Sequence, residues 1–301
     1  MKVFLTGVTG FVGHGMLPEL VSRGHEVVCI VRPGSEQKMK PDPAWQGRVR
    51  LVPGDLFDPA SLLAVMNGCD AVVHLVGIIR EQPGRGITFN RIHVEGTRNV
   101  IEAAKQVHVK KFVLMSALGS RPNATSLYHQ TKYEAEQLLI ASGLPHTIFR
   151  PSVIYGPGDE FVNMLADLVR LPLTPVIGDG LYRLQPVSRQ IVAEVFADAV
   201  HPDMTNGQVF EVGGPVALTY NDILAAIGRV LGKAKVRRFH VPITLMKPVV
   251  ELMQGFSFFP ITKTQLIMLQ EGNACADTES LYRSYPIKRI PFEDGIAAYL
   301  K

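Results

Sequence analysis

The residues "LTGVTGFVGHG", 5 to 15, follow the apolar run "KVFLT" and open a helical pattern that runs through Arg23 to a stop at Gly24. Gly7, Gly10 and Gly13 fall three apart, as G-x-x-G-x-x-G. Glycines at this spacing permit a tight strand-to-helix turn and a close backbone approach, and the free N–H groups at the helix start are then available to a pyrophosphate. A glycine triplet alone is a weak signal. The strand before it and the helix after it make it specific. The alternative is a glycine turn that only packs helix on strand. The candidate dinucleotide contacts on this turn are Gly7, Thr9, Gly10, Phe11 and Val12.

The rest of the first half repeats the strand–helix alternation. "KVFLT", "EVVCIVR", "RVRLVPGD", "DAVVHLVG", "KKFVLMS" and "PHTIFRP" read as strands, with helices at about 11–23, 59–67, 89–106 and 127–142. Short, largely continuous Val/Ile/Leu runs are expected where both faces of a strand are covered. The pattern predicts an α/β chain, a Rossmann-type doubly wound parallel sheet. From Pro151 the pattern changes: Pro and Gly become dense in "RPSVIYGPGDE" and "RLPLTPVIGDG". Helices are expected at about 161–170, 189–199, 219–231 and 243–254, and a strand at "QVFEVGG". The expected division is a dinucleotide-binding domain over 1–155 with return elements at about 184–212, and a smaller, mostly helical C-terminal substrate domain over 156–183 and 213–301.

Composition narrows the function classes. Of the 301 residues, 47% are hydrophobic and 19% charged, and the net charge of +4 is spread thinly. The densest basic spots, Arg48 to Arg50, Lys110–Lys111 and Arg237–Arg238, are not runs of the kind that bind nucleic acid. Cys29, Cys69 and Cys275 lie far apart with no metal spacing, so no metal is expected and a reduced, cytoplasmic setting fits. "MKVFLTG" is too short an apolar run for a signal peptide. The most apolar late stretch, 241–261, is interrupted by Lys247, Pro248 and Glu251 and does not read as a transmembrane helix. It reads either as a cover over a substrate cleft or as a surface for a partner or membrane.

The second strand indicates which dinucleotide. NAD binders usually end it with an acid that accepts from the ribose 2′-hydroxyl. Here it ends "VVCIVRPGSE", with no acid between Val27 and Arg32 and Glu36 beyond the turn. A guanidinium at Arg32 suits a 2′-phosphate, so NADP(H) is preferred and NAD(H) remains possible. The alternative is an exposed loop arginine. After the third strand, Asp55 and Leu56 in "PGDLFDP" are candidate nucleotide contacts. Asp55 could accept from the adenine amino group, cap a turn, or do both.

In "SLYHQTKYEAE", Tyr128 and Lys132 are neighbours on one helical face. Alone, Tyr-x-x-x-Lys is a common coincidence. In the order "TGVTGFVG", "GDLFDP", "VVHLVG", "HVEGTRNVIEAA", "FVLMSALGS", "YHQTK" and "RPSVIYGPGD", however, the chain resembles the short-chain dehydrogenase/reductase superfamily, in its extended and atypical, epimerase/dehydratase-like branches. "MSALGS", "TIFRPSVIYGPGDEFVN" and "GDGLYRLQPV" resemble the bacterial relatives of the NADPH-binding accessory subunit of mitochondrial complex I.

The resemblance implies a catalytic set of Ser116, Tyr128 and Lys132, with Lys132 also serving the nicotinamide ribose. An ammonium beside the tyrosine and an oxidised nicotinamide both favour the phenolate. The resemblance further implies cofactor contacts at Leu75, Val76 and Gly77, and at Pro151, Ser152, Val153 and Ile154. Two departures stand out. His93 replaces an asparagine that many members use in a proton relay, and it reads as a relay or as a buried polar residue. Arg189 and Gln190 stand where relatives often carry acids.

Two functions follow from this reading. One is an NADP(H)-dependent oxidoreductase or epimerase/dehydratase acting on a small or hydrophobic carbonyl or alcohol. The other is a non-catalytic NADPH-binding accessory or assembly protein. A homodimer and association with a respiratory complex or membrane surface are compatible with both.

Overall fold

The computed structural model describes residues 1–40, 42–253 and 262–301. The expectation for 254–261, and with it the end of the apolar stretch, lies outside the described residues. The chain divides into two compact units. The first comprises Met1–Arg150, Arg189–Phe210 and Glu279–Ile287.

The first unit is built on strands β1 (Lys2–Thr6), β2 (Glu26–Val31), β3 (Val49–Pro53), β4 (Ala71–His74), β5 (Lys111–Met115) and β6 (His146–Pro151). They lie in the order β6-β5-β4-β1-β2-β3, and strand Gln208–Val212 adds a seventh beside β6. All five pairings from β6 to β3 are parallel. Parallel strands need crossovers: helices α1 (Phe11–Ser22), α2 (Pro59–Met66), α3 (Gly96–Gln106) and α4 (Leu127–Ala141) follow β1, β3, β4 and β5, and two short 3-10 turns lie between β2 and β3. The order reverses at β1: β2 and β3 lie on one side of it, and the chain returns from β3 through α2 to place β4 on the other. In open α/β sheets ligands bind at the carboxyl ends of the strands beside this switch point.

The strand alternation carries both layers. Phe4, Val28, Ile30, Val72, Phe112, Leu114 and Ile148 point to one face, where they pack with Leu62 and Met66 of α2, Val100 and Ile101 of α3 and Leu139 of α4. Phe149, one residue out of phase, stacks on Phe196 of helix Arg189–Ala199 with ring centroids 4.6 Å apart. That helix packs along α1. Cys29 and Cys69 are buried within this unit, and burial raises both thiols. They are core residues.

The second unit comprises Pro151–Ser188, Glu211–Thr278 and Lys288–Lys301. Its core joins helices Glu160–Arg170, Tyr220–Val230 and Phe292–Ala297 through Val162, Leu165, Val169, Ile223, Ile227 and Ile296. Short strand pairs brace it: Ile154–Tyr155 with Val187–Ser188, Arg183–Leu184 with Leu218–Thr219, and Thr174–Ile177 with Arg238–Val241. Among the described residues no helix is long and apolar enough to cross a membrane.

Candidate functional site

The glycine turn follows β1. Gly7 has φ 76°, and a Cβ there would lie 3.2 Å from the Leu75 carbonyl carbon. Gly13 is more constrained still: a Cβ would fall 2.3 Å from the Gly7 carbonyl oxygen and 2.5 Å from Val8 Cα. Only glycine lets α1 start so close to the turn. Gly10 is the N-cap and supplies no side-chain hydrogen bond. The first N–H groups of a helix have no intrahelical acceptor, so those of Phe11, Val12 and Gly13 remain available to an anion. Thr9 is partly exposed on the same turn, and Val12 is buried beneath it.

Arg32 follows β2 directly and is exposed. Among the described residues no hydrogen bond or ion pair holds its guanidinium. Glu36 opens a one-turn helix, Glu36–Lys38, and its Oε2 is buried without a hydrogen-bond partner. Asp55 accepts from the Phe57 N–H at 3.0 Å, so its turn-forming role is realised. Its carboxylate is exposed and keeps further acceptor capacity. Asn99 donates to the Leu56 carbonyl at 3.0 Å and fixes that loop.

Leu75, Val76 and Gly77 leave the end of β4, opposite the glycine turn. The Leu75 N–H donates to Thr6 Oγ1 at 3.2 Å, and Thr6 Oγ1 is 2.7 Å from His74 Nδ1. This fully buried histidine is pushed down to about 3, chiefly by desolvation, so it is neutral and structural. A Cβ on Gly77 would lie 3.6 Å from both His93 Nε2 and Lys132 Nζ. Gly77, His93 and Lys132 therefore converge.

Ser116 follows β5, buried, with its Oγ donating to Ser120 Oγ at 3.2 Å. Lys132 is 4% exposed, and its Nζ donates to the Met115 carbonyl at 2.6 Å. The ammonium thus sits at the carboxyl end of β5, next to Ser116. Desolvation lowers Lys132 to about 8, against a smaller opposing pull from Glu136. Glu136 is itself fully buried and is held bidentate by Arg150, at 2.8 and 2.5 Å.

Tyr128 is partly exposed, yet desolvation of its phenol raises it to about 12. Burial is the cause, and the group is a protonated phenol at neutral pH.

His93 lies in a π-helical turn, Asn90–Glu95, that runs into α3. Its Nδ1 is 2.9 Å from Thr131 Oγ1, and its Nε2 is 3.1 Å from both the N and the O of Ile78. Phe89 stacks on it at 5.5 Å, and the Tyr128 ring meets it edge-on at 5.4 Å. Desolvation, then the Lys132 charge, lowers His93 to about 2. The ring is neutral, and both of its nitrogens are engaged. Neither Thr131 nor Phe89 is marked by the sequence motifs, though Thr131 lies in the same helical turn as Tyr128 and Lys132. Asn90 bonds Glu95 and Asn99 bonds Leu56, so both serve local structure.

Pro151, Ser152, Val153 and Ile154 belong to the second unit. There Ser152 donates to the Asn273 carbonyl at 3.0 Å, and the Val153 N–H donates to Asn273 Oδ1 at 3.2 Å. Among the described residues no cluster of His, Cys, Asp or Glu is arranged to hold a metal ion.

A family model described as NAD(P)H-binding matches residues 7–203. Among characterised proteins, the mitochondrial NADH-ubiquinone oxidoreductase 40 kDa subunit of Neurospora crassa is 24% identical over 275 residues, covering 91% of this chain and 72% of that one. The ceramide reductase of Caulobacter vibrioides is 32% identical over 177 residues, covering 58% of this chain and 53% of its own length. Among solved structures, a nucleoside-diphosphate-sugar epimerase from Staphylococcus aureus superposes with a TM-score of 0.77 at 19% identity, covering 99% of each chain. At that identity the likeness is one of fold.

Proposed function

We propose, from the premise that the chain belongs to the NAD(P)H-binding family within the short-chain dehydrogenase/reductase superfamily, that it is an NADP(H)-dependent oxidoreductase reducing a small or hydrophobic carbonyl. The observation that carries this reading is Lys132. An ammonium 4% exposed, beside Ser116 and one helical turn from a protonated Tyr128, is costly to bury, and among the described residues it makes no ion pair. A bound ribose would use Lys132 in either reading; what a nucleotide brace leaves unused is its company with Ser116 and a protonated Tyr128.

The residues present fit a dinucleotide. The turn at Gly7 and the start of α1 offer N–H groups to the diphosphate, Asp55 offers an acceptor to the adenine, and Arg32 offers a guanidinium to a 2′-phosphate. The unpaired Glu36 oxygen is the observation on the side of NAD(H), since a carboxylate there could take a ribose hydroxyl instead. Nicotinamide, when bound, supplies the hydride. Tyr128 Oη gives its proton to the carbonyl oxygen, and Ser116 Oγ donates a hydrogen bond that orients this oxygen. Lys132 Nζ holds a ribose hydroxyl, and its charge stabilises the phenolate left on Tyr128 until solvent reprotonates it. Ile79 and Leu127, 45% and 49% exposed, flank Ile78 and Tyr128 in the chain and offer apolar surface to a substrate.

A second reading is a nucleotide-binding accessory protein. It is favoured by His93 in place of asparagine and by the likeness to the 40 kDa subunit. Tyr128→Phe separates the two. The oxidoreductase reading expects NADPH affinity nearly unchanged and turnover reduced by about 10²–10⁴. The screen covers aldehydes, ketones and quinones. Absence of hydride transfer to every one of them by wild-type protein that binds NADPH sinks the oxidoreductase and leaves the accessory role.

A further inference from the structure

Helix Ile243–Met253, in the second unit, sorts its side chains into three stripes. Ile243, Met246 and Val250, three and four residues apart, turn inward: Val250 is fully buried, and a Cβ on Gly178 would lie 3.1 Å from Ile243 Cδ1. Thr244, Lys247 and Glu251 form an exposed polar stripe. Leu245, Pro248, Val249 and Leu252, at i, i+3, i+4 and i+7, make a second apolar stripe that faces solvent. Leu245, Val249 and Leu252 are 62%, 43% and 77% exposed. One apolar face packs the helix on its own unit, and the second is surplus to the fold.

The surface around this helix is apolar and cationic together. Strand Arg238–Val241 leads into it and exposes Arg238, Phe239 and His240. That strand pairs with Thr174–Ile177, which the exposed Leu171 and Leu173 precede. The Thr174 N–H donates to the Arg237 carbonyl at 2.8 Å, and Lys233 Nζ donates to the Leu171 carbonyl at 3.2 Å, so both leucines lie beside basic residues. Lys233, Lys235 and Arg238 also line a cavity of about 190 Å³. Arg229, Lys233, Lys235, Arg237, Arg238 and Lys247 follow one another with no acid between Asp222 and Glu251. Glu293 holds Arg229, and among the described residues no carboxylate pairs with the other five. Glu251 is itself taken by Lys263 at 2.8 Å.

The charge decides the occupant. A second copy of the chain would bring a like-charged face against this one. An anionic lipid surface meets both features at once: acyl chains take the leucines, and headgroup phosphates take the lysines and arginines. We propose that helix Ile243–Met253, with the strand before it and with Leu171 and Leu173, docks the second unit peripherally on an anionic lipid surface. This is independent of whether the first unit reduces a carbonyl.

The test is flotation with vesicles of phosphatidylcholine, alone and with about one part in three of phosphatidylglycerol, at low and high salt. Wild type is expected to float with the anionic vesicles at low salt, to be released at high salt, and to bind the neutral vesicles far more weakly. Arg237→Gln/Lys247→Gln removes two exposed charges and should weaken binding about twentyfold, at roughly fivefold per charge. Leu245→Gln/Leu252→Gln should weaken it by about tenfold or more. Both double variants should melt with wild type, since every changed position is exposed. Wild type that stays at the bottom of the gradient with both vesicles overturns the proposal. Binding that is equal in wild type and both double variants also overturns it, because the contact then lies elsewhere. Wild type that sediments as a dimer and never floats, with Leu245→Gln/Leu252→Gln monomeric, assigns the face to a second copy instead.

Discussion

Burial of Lys132 carries a cost that its hydrogen bond to the Met115 carbonyl offsets only in part. Its folded pKa of about 8 lies below the ordinary lysine value of 10.5, chiefly through desolvation. The unfolded chain therefore binds more protons between these values, and stability rises with pH across that window. Below about 8 the penalty is fully present, roughly 3 kcal/mol at ~1.4 kcal/mol per unit. Glu136 is satisfied by Arg150, so removing the lysine leaves no buried carboxylate unpaired. Lys132→Met is accordingly expected to melt several degrees higher than wild type near pH 7 and to bind NADPH at least tenfold more weakly. The stability gap should close as pH rises from 8 toward 10.5. Lys111, also lowered to about 8 by burial, has the same sign in both proteins and cancels in the comparison. A variant that melts lower at pH 7 with unchanged NADPH affinity would make Lys132 an ordinary structural residue. Tyr128 moves the opposite way: its raised pKa keeps the folded phenol protonated between about 10 and 12, so its contribution to stability falls in that range.

At the scale of elements, the π-helical turn Asn90–Glu95 does the aiming. One extra residue in the turn directs His93 between Thr131 and the Ile78 backbone. A neutral imidazole has one donor and one acceptor nitrogen, enough to serve both sides. His93→Leu leaves buried polar groups without a partner and is expected to cost about 1–3 kcal/mol in chemical denaturation. His93→Asn is shorter, reaches one side, and should cost less. Because His93 stays neutral down to about 2, neither change should add or remove a pH limb between 5 and 8 in any activity profile. A limb that vanishes in His93→Asn would restore the relay. None of this was legible in the sequence, because the "HVEGT" pattern marks a helix but a single inserted residue leaves no periodic trace. The protonated phenol was hidden too, since burial of Tyr128 depends on Phe89, His93 and His129 packed around it. Long regular elements were far more legible. The helix expected at 127–142 runs Leu127–Ala141, and the one at 189–199 runs Arg189–Ala199: the second carries an apolar face, and the first, which buries His129, Thr131, Lys132 and Glu136, is marked by its helix formers and the stop at Gly143 and Pro145. The short strands of the second unit, such as Arg183–Leu184, escape the sequence reading because two residues are too few for period or composition to register.

At the scale of the molecule, the nucleotide-binding unit is not a contiguous stretch of chain. Phe149 at the end of the sheet meets Phe196, Phe210 and Tyr285, with ring centroids at 4.6, 5.8 and 5.7 Å. These residues come from all three segments of the first unit. Tyr285 is the contribution of the last, Glu279–Ile287, and it is fully buried. Its hydroxyl is 2.6 Å from Thr205 Oγ1, which also bonds Thr147 Oγ1 at 3.0 Å. Sequence reasoning placed that segment with the second unit, because its partners lie about 80 to 140 residues away and no local pattern reports them. The consequence is that a segment late in the chain completes the core of the nucleotide unit. Tyr285→Ala removes an aromatic ring from a closed core and is expected to cost about 3–5 kcal/mol. Tyr285→Phe keeps the ring, leaves Thr205 its bond to Thr147, and should cost about 1 kcal/mol. NADPH at a hundredfold its Kd adds about 2.7 kcal/mol by mass action, so it should restore most of the Tyr285→Ala loss without touching the cavity. Thermal and denaturant unfolding of the three proteins, with and without NADPH, checks each step. Equal stabilities for Tyr285→Ala and Tyr285→Phe would show that the terminal segment is a passenger, and that the unit folds from its first two segments alone.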